Sequence, residues 1–236
     1  MKEAAAIILS VLLFCLCIFG VIRKAERNII SVISEASDEF PDKLFIIDAG
    51  HGGEDGGAVA FDSTEEKAIN LEISRKLSLL FDIFGINHIS IRTEDISVGD
   101  TSLETIRKRK VSDIMRRYEI INSYENSVLI SIHQNMFSVE KYSGTQVFYA
   151  PEDEDSARLA QIIQNTVREN LQQDNNRKIK AADKSIYLLY NAKRPSVMIE
   201  CGFLSNMNEL ELLKNESYQL KLAYFFSKAI TEFLIT

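Results

Sequence analysis

Apolar positions along this chain fall into three patterns, and their order lays out its organisation. The first is unbroken: residues 4–22, AAAIILSVLLFCLCIFGVI, are apolar apart from Ser10 and Gly20. This run of 19 residues is long enough to cross a hydrocarbon core about 30 Å thick. Lys2 precedes it, and Arg23, Lys24 and Arg27 follow. The run exceeds the roughly 7–15 apolar residues of an export signal, and no small-x-small cleavage site follows it. We therefore expect residues 1–24 to be an uncleaved signal-anchor, with a cleaved export signal as the alternative. The excess of basic residues after the span, taken literally, keeps the body of the protein in the cytoplasm. Conventional export places it outside. Residues 25–42 are polar and mixed, include Pro41 and read as a linker.

From residue 43 onward, short apolar runs alternate with stretches of helical period. Runs at 43–48, 88–93, 128–133, 144–150 and 196–201 read as strands, and 186–189 as a short sixth. Helices are expected over 65–82, 102–125 and 154–172, with one or two more over 208–234. Ser63 or Thr64 would cap the first helix and Gly85 would close it. In 102–125, Ile106, Val111, Ile114, Met115, Tyr118 and Ile121 lie on one side. This alternation predicts a single-domain α/β sandwich over 43–236, with a twisted, mostly parallel or mixed sheet flanked by helices, phosphorylase/hydrolase-like.

Composition narrows the function classes. The chain has 236 residues, 46% hydrophobic and 26% charged, with a net charge of −7 and no long basic block. Nucleic acid is a poor partner for such a surface. The three cysteines form no C-x-x-C pair, and two of them lie in the apolar N-terminus, so neither a disulfide framework nor a cysteine zinc site is indicated. Cys201 reads as a small buried thiol. With only His51, His88 and His133 available, any histidine site can be enumerated.

The chemistry concentrates where core strands end. Leu44-Phe45-Ile46-Ile47 stops at Asp48, and five of the ten glycines follow between Gly50 and Gly57, around His51. A glycine loop at the end of a core strand is where open α/β sheets place their ligands. A second strand ends in His133 and the last in Glu200. Glu65 and Glu66 open the helix after the loop, so one of them can turn back toward His51. Two histidines and a carboxylate with an open position form the pattern of a catalytic zinc site, and a further carboxylate would serve as general base. Each residue also has a plainer reading. His51 could cap a turn, His133 could be a hydrogen-bonded core histidine, Glu66 a helix N-terminal charge and Glu200 an arginine partner. His88 opens a strand elsewhere and reads as an edge residue.

The runs IIDAGHGGEDGGAVA, EEKAINLEISRKL, SVLISIHQN, GTQVFYA and LLYNAKRPSVMIECGFLSN resemble the zinc-dependent N-acetylmuramoyl-L-alanine amidases of bacterial cell walls. That family's pattern is D-x-G-H-G-G-x-D-x-G-A, E-K-x-x-N-L, S-I-H-x-N and P-x-V-x-V/I-E-x-G-F-L/I-S-N. The likeness spans residues 44–234 in order. It implies that His51, Glu66 and His133 hold Zn²⁺, and that Glu200 is the catalytic carboxylate. Glu66 is preferred to Glu65 because it directly precedes the lysine of E-K-x-x-N-L. Asp48 is expected to orient a histidine, and Asn135 to support the ligands or the substrate. Gly56-Gly57 stands where Pro-Gly is commoner, and Gln134 and Cys201 stand where Ala is frequent. None of these departures removes a ligand.

The segment RKVSDIMRRYEIINSYENSVLISIH is similar to the subgroup acting in spore cortex (muramic lactam) maturation and germination. The implied partners are peptidoglycan glycan strands and stem peptides, an activator or scaffold protein, and the membrane through residues 4–22. The implied location is extracytoplasmic, anchored or secreted, at the forespore surface. Two other functions fit the same residues less well: a zinc peptidase cutting within the stem peptide, and a non-catalytic wall-binding protein.

Overall fold

Five of the expected apolar strands pair side by side, among the described residues, in one six-stranded sheet. A computed structural model describes residues 43–236. The expected N-terminal span and linker lie outside the described residues. Among the described residues, no helix is long and apolar enough to cross a membrane.

In chain order the elements are β1 (Leu44–Ala49), α1 (Glu66–Phe84), β2 (His88–Ser90), α2 (Ile106–Asn122), β3 (Ser127–Asn135) and β4 (Gln146–Tyr149). They continue with α3 (Glu154–Asn170), β5 (Lys180–Ala181), α4 (Tyr187–Tyr190), β6 (Ser196–Phe203), α5 (Met207–Lys214) and α6 (Glu216–Ile235). Strands β2, β1, β3 and β6 run parallel, β4 joins β6 antiparallel, and β5 runs parallel to β4. The expected α/β sandwich with a mixed sheet is what forms.

Parallel central strands are covered on both faces, which explains their near-continuous apolar sequences. On one face Phe45, Ile47, Ile130, Ile132, Val197 and Ile199 meet Ile73, Leu77 and Phe81 of α1, Leu159 and Ile163 of α3, and Phe226 and Ile230 of α6. On the other face Ile46, Leu129 and Met198 pack with Ile121 of α2 and Leu189 of α4. Alternation along each strand therefore sends Asp48, Ser131, His133 and Glu200 to this second, more thinly covered face.

Three local expectations change. Residues 186–189 are not a strand, because α4 forms there and the edge strand is β5. Asp183 Oδ1 accepts from Ser185 N at 2.9 Å, and Ile186 N donates to Asp183 O at 3.1 Å, so the chain turns before the apolar run begins. Four apolar residues carry no decisive period.

Neither Ser63 nor Thr64 caps α1; the N-cap is Glu65, without a side-chain bond. The loop backbone does the capping, since Glu66 N donates to Ala58 O at 2.9 Å and Lys67 N to Gly56 O at 3.1 Å. Orphan helix donors need only an acceptor.

Helix α2 does not bury its apolar stripe. Ile106, Val111, Ile114 and Met115 are exposed, and its buried residues are Arg117 and Ile121. The ion pairs of Arg117 decide which side of α2 faces the sheet.

Candidate metal centre

Gly50 follows the end of β1, where its N–H donates to Ile132 O of β3 at 3.0 Å. A Cβ at Gly50 would lie 2.2 Å from the His133 ring, so only glycine lets the loop cross there. His51 then adopts φ 61°, an uncommon left-handed conformation for a side-chain-bearing residue. That turn aims its imidazole back over the sheet. Gly57, at φ 70°, passes so close that a Cβ would sit 2.6 Å from Glu66 Oε2 and 2.7 Å from His51 Cδ2. The glycines thus make room for a cluster of larger polar groups.

Glu66, in the first turn of α1, is only 3% exposed. Its Oε1 accepts from His133 Nδ1 at 2.9 Å, Gln134 N at 3.0 Å and Asn70 Nδ2 at 3.2 Å. Its Oε2 accepts from Ala58 N at 2.9 Å and faces His51 Nε2 at 3.2 Å. The two imidazole rings stand 5.0 Å apart, edge to face. One ligand atom from each of His51, Glu66 and His133 falls within 4.8 Å of the others. Two imidazoles and a carboxylate so placed fit a zinc ion. Glu65 turns away and meets Lys67 Nζ at 3.3 Å.

The electrostatics favour positive charge at this point. Burial alone would lower the His51 pKa, but hydrogen bonds to Asp55 and Glu66 outweigh it and push it up to about 9. Burial would raise the Glu66 carboxyl, yet both histidines hold it far below the usual range. Glu200 sits beside His133 in the β3–β6 register. Its Oε2 is sealed from solvent and has no hydrogen-bond partner among the described residues. Burial pushes its carboxyl up to about 7, and the charge of Glu66 adds to this against the pull of His133. A buried carboxylate is not left unpaired without cost, so Glu200 is placed to meet something that arrives in the site. A cleft of about 230 Å³ opens over His51 and His133, walled by Ile114, Tyr187 and Met198.

Residues 45–232 match the family described as N-acetylmuramoyl-L-alanine amidase. The chain belongs to that family. The germination-specific N-acetylmuramoyl-L-alanine amidase of Bacillus subtilis strain 168 is 35% identical over 191 residues, 81% of this chain and 79% of that protein. The CwlD amidase from Clostridioides difficile, solved in complex with the GerS lipoprotein, is 40% identical. It superimposes with a TM-score of 0.79 over 82% of this chain and 98% of its own. An N-acetylmuramoyl-L-alanine amidase from Clostridium difficile 630 gives a TM-score of 0.68 at 26% identity, over 82% of this chain and 97% of its own.

In this amidase the expectation for Asp48 is corrected. Asp48 bonds no histidine among the described residues; it pairs with Arg117 Nη1 and accepts from Ser131 Oγ at 2.7 Å. Arg117 and Asp48 are both buried, and the arginine reaches the carboxylate before any imidazole does. The group facing His51 Nδ1 is Asp55 Oδ2, at 2.9 Å. Asp55 also takes Lys110 Nζ at 2.7 Å. The signal for it was the second aspartate of the glycine motif, four residues after His51.

Asn135 ends β3, half-buried, and its carbonyl accepts from Leu204 N at 2.8 Å. His88 lies on the sheet edge against Ser78 Oγ at 2.7 Å, away from the site. Cys201 is fully buried, and burial drives its thiol pKa up, which suits an inert core residue.

Sequence reading also missed the two arginines that hold the loop. Arg92 donates to the carbonyls of Ala49 at 2.8 Å and Gly50 at 3.0 Å, and Arg117 to those of Ala49 at 3.0 Å and His51 at 2.7 Å. Nothing in their spacing announces this role. Each guanidinium satisfies backbone acceptors that a glycine loop cannot satisfy itself.

Asp55→Asn tests the histidine contact. A carboxylate on Nδ1–H fixes the tautomer that leaves Nε2 free to bind metal. The variant is expected to bind zinc about 10- to 100-fold more weakly, measured by competition with a chromophoric chelator.

Proposed function

We propose that this amidase hydrolyses the amide between the lactyl group of N-acetylmuramic acid and the L-alanine of the stem peptide, in spore cortex peptidoglycan. His51, Glu66 and His133 would hold zinc, and Glu200 would move the proton. The single observation carrying these roles is the unpartnered Glu200 carboxylate lying beside three convergent ligands. A zinc ion bound there supplies Lewis-acid chemistry, polarising the scissile carbonyl and making water acidic near neutral pH.

The rest follows from the chain's own groups. Asp55 and the left-handed turn at His51 fix that imidazole before substrate arrives. Glu66 is held by Ala58 N, Gln134 N and Asn70, so its carboxylate needs no reorganisation. Glu200, tuned by burial to titrate near neutrality, takes a proton from the attacking water and returns it to the leaving amine. The apolar wall of Ile114, Tyr187 and Met198 limits competing water.

Residues 4–22 would keep the enzyme at the outer face of a membrane, within reach of its insoluble substrate. The solved complex of CwlD with a lipoprotein supports a helper or scaffold protein for this chain as well. The cortex assignment rests on the similarity to the germination-specific amidase.

Purified peptidoglycan treated with the full-length chain should release stem peptides, leaving a free lactyl carboxyl on the sugar. A chelator should abolish this release and added zinc should restore it. Cuts between two amino acids would point instead to a peptidase and overturn the reading.

A further inference from the structure

Arg177 is a buried-edge cation that no described residue neutralises. It lies in the connection from α3 to β5, where its backbone N–H donates to Asn175 Oδ1 at 2.9 Å. Asn175 is itself buried and donates to Thr145 O at 2.9 Å, so the segment is pinned to the start of β4. The Arg177 guanidinium stacks over Phe203, with Cζ 4.8 Å from the ring centroid. Its only side-chain hydrogen bond among the described residues runs from Nη2 to the neutral amide oxygen of Gln146. Nε is sealed from solvent without a partner. Glu209 and Glu200 attract it through space, but neither forms an ion pair with it.

The two other arginines near the site differ. Arg117 pairs with Asp48 and Asp113, and Arg92 donates to four backbone carbonyls. Each is saturated by the fold. Arg177 is positioned by the fold and left with donors unspent.

The sheet register shows where those donors lie. His133 of β3 pairs with Glu200 of β6, and Glu200 pairs with Gln146 of β4. The three stand in a row across the sheet on one face, one strand spacing apart, about 4.8 Å each. Arg177 joins the row at Gln146 and also stacks on Phe203 of β6, the strand that carries Glu200. Gln146 stands one strand spacing, about 4.8 Å, from Glu200, and the guanidinium is bonded to its amide oxygen. A peptide residue spans at most about 3.6 Å, so a group one or two residues beyond a scissile amide held at Glu200 comes within reach of those donors.

We propose that Arg177 is a specificity-determining residue that binds a carboxylate carried by the second residue of the stem peptide. The inference rests on the amidase reading above and deepens it: the preferred substrate has a free carboxyl at that position rather than a carboxamide. A planar fork with free donors suits a carboxylate, whereas a carboxamide would bring an N–H toward donors that already lack acceptors.

The test uses two muropeptides that differ only there, one with a carboxyl and one with a carboxamide on the second stem residue. The full-length, zinc-loaded chain is assayed for kcat/KM on each. Charge-assisted hydrogen bonds set the expected preference for the carboxyl form, on the order of 10- to 100-fold. In Arg177→Gln that ratio should fall to near one. In Arg177→Lys, which keeps the charge but loses the fork, it should fall part of the way. Melting curves check the fold of each variant, and Arg177→Lys carries the test if Arg177→Gln melts early.

A role confined to bracing β4 would lower both rates together and leave the ratio unchanged, which overturns the proposal. A parent ratio near one overturns it too. Release of no stem peptide from either substrate would sink the amidase reading itself, a distinct outcome.

Discussion

Glu200→Gln lowers kcat for release of stem peptides by about 10²- to 10⁴-fold, the range expected when a positioned acid–base group is removed. The substitution keeps the shape of the side chain and the row it occupies between His133 and Gln146. It touches none of the three convergent ligands, so zinc bound per chain should match the parent. Stability should hold as well, because burial already disfavours the charged form of this carboxyl. The informative result is the combination: full metal content, an unchanged urea midpoint and lost turnover. Activity within tenfold of the parent would remove Glu200 from the chemistry.

Arg117→Met is expected to be the most destabilising single change near the site. Arg117 and Asp48 are 3% and 1% exposed, and they lie between α2 and the sheet. Removing one partner of a buried pair strands the other, which typically costs about 3–5 kcal/mol. Lysine is no substitute, since the fork also serves Asp113 and the carbonyls of Ala49 and His51. The pH dependence has a definite sign. Burial would raise the Asp48 carboxyl, but Arg117 overcomes it and holds the pKa below the ordinary aspartate range. A carboxyl depressed on folding contributes stability above its unfolded pKa and loses it as pH falls through the folded value. In the parent this contribution is therefore intact at neutrality and fades only below about pH 4. In Arg117→Met burial is opposed only by Ser131 and the charge of His133, so the Asp48 pKa rises and protonation relieves the stranded charge. The gap between parent and variant in urea unfolding should be widest near pH 7 and should narrow toward pH 4. Asp48→Asn combined with Arg117→Met should recover part of the loss. An equal gap at both pH values would refute this account.

Much of the site was legible because its residues interrupt apolar runs. His51 follows β1, and His133 and Glu200 interrupt the apolar runs of β3 and β6, where a polar group needs a partner. Parallel pairing of β1, β3 and β6 brings those positions together without any contact specific to the site. Glu66 could be separated from Glu65 only through a family motif, since both open the same helix. The structure makes the choice physical: loop carbonyls of Gly56 and Ala58 hold the first turn of α1, which turns Glu66 inward and Glu65 toward Lys67. The apolar stripe of α2 misled for the opposite reason. Periodicity locates a face that can be buried, but Arg117 and its two carboxylates set the rotation of the helix, and Ile106, Val111, Ile114 and Met115 remain outside.

By itself the sequence determined the class of fold, most of its strands and helices, and the apolar runs that His51, His133 and Glu200 interrupt. These follow from local periodicity and from the cost of burying polar groups, both of which act over a few residues. Only the tertiary structure decided which carboxylate serves which cation. Asp48 went to Arg117, 69 residues away, and Asp55 was left to face His51. Among the described residues Arg177 was left without a carboxylate partner. Charge pairing depends on distance in space, and spacing along the chain does not report it.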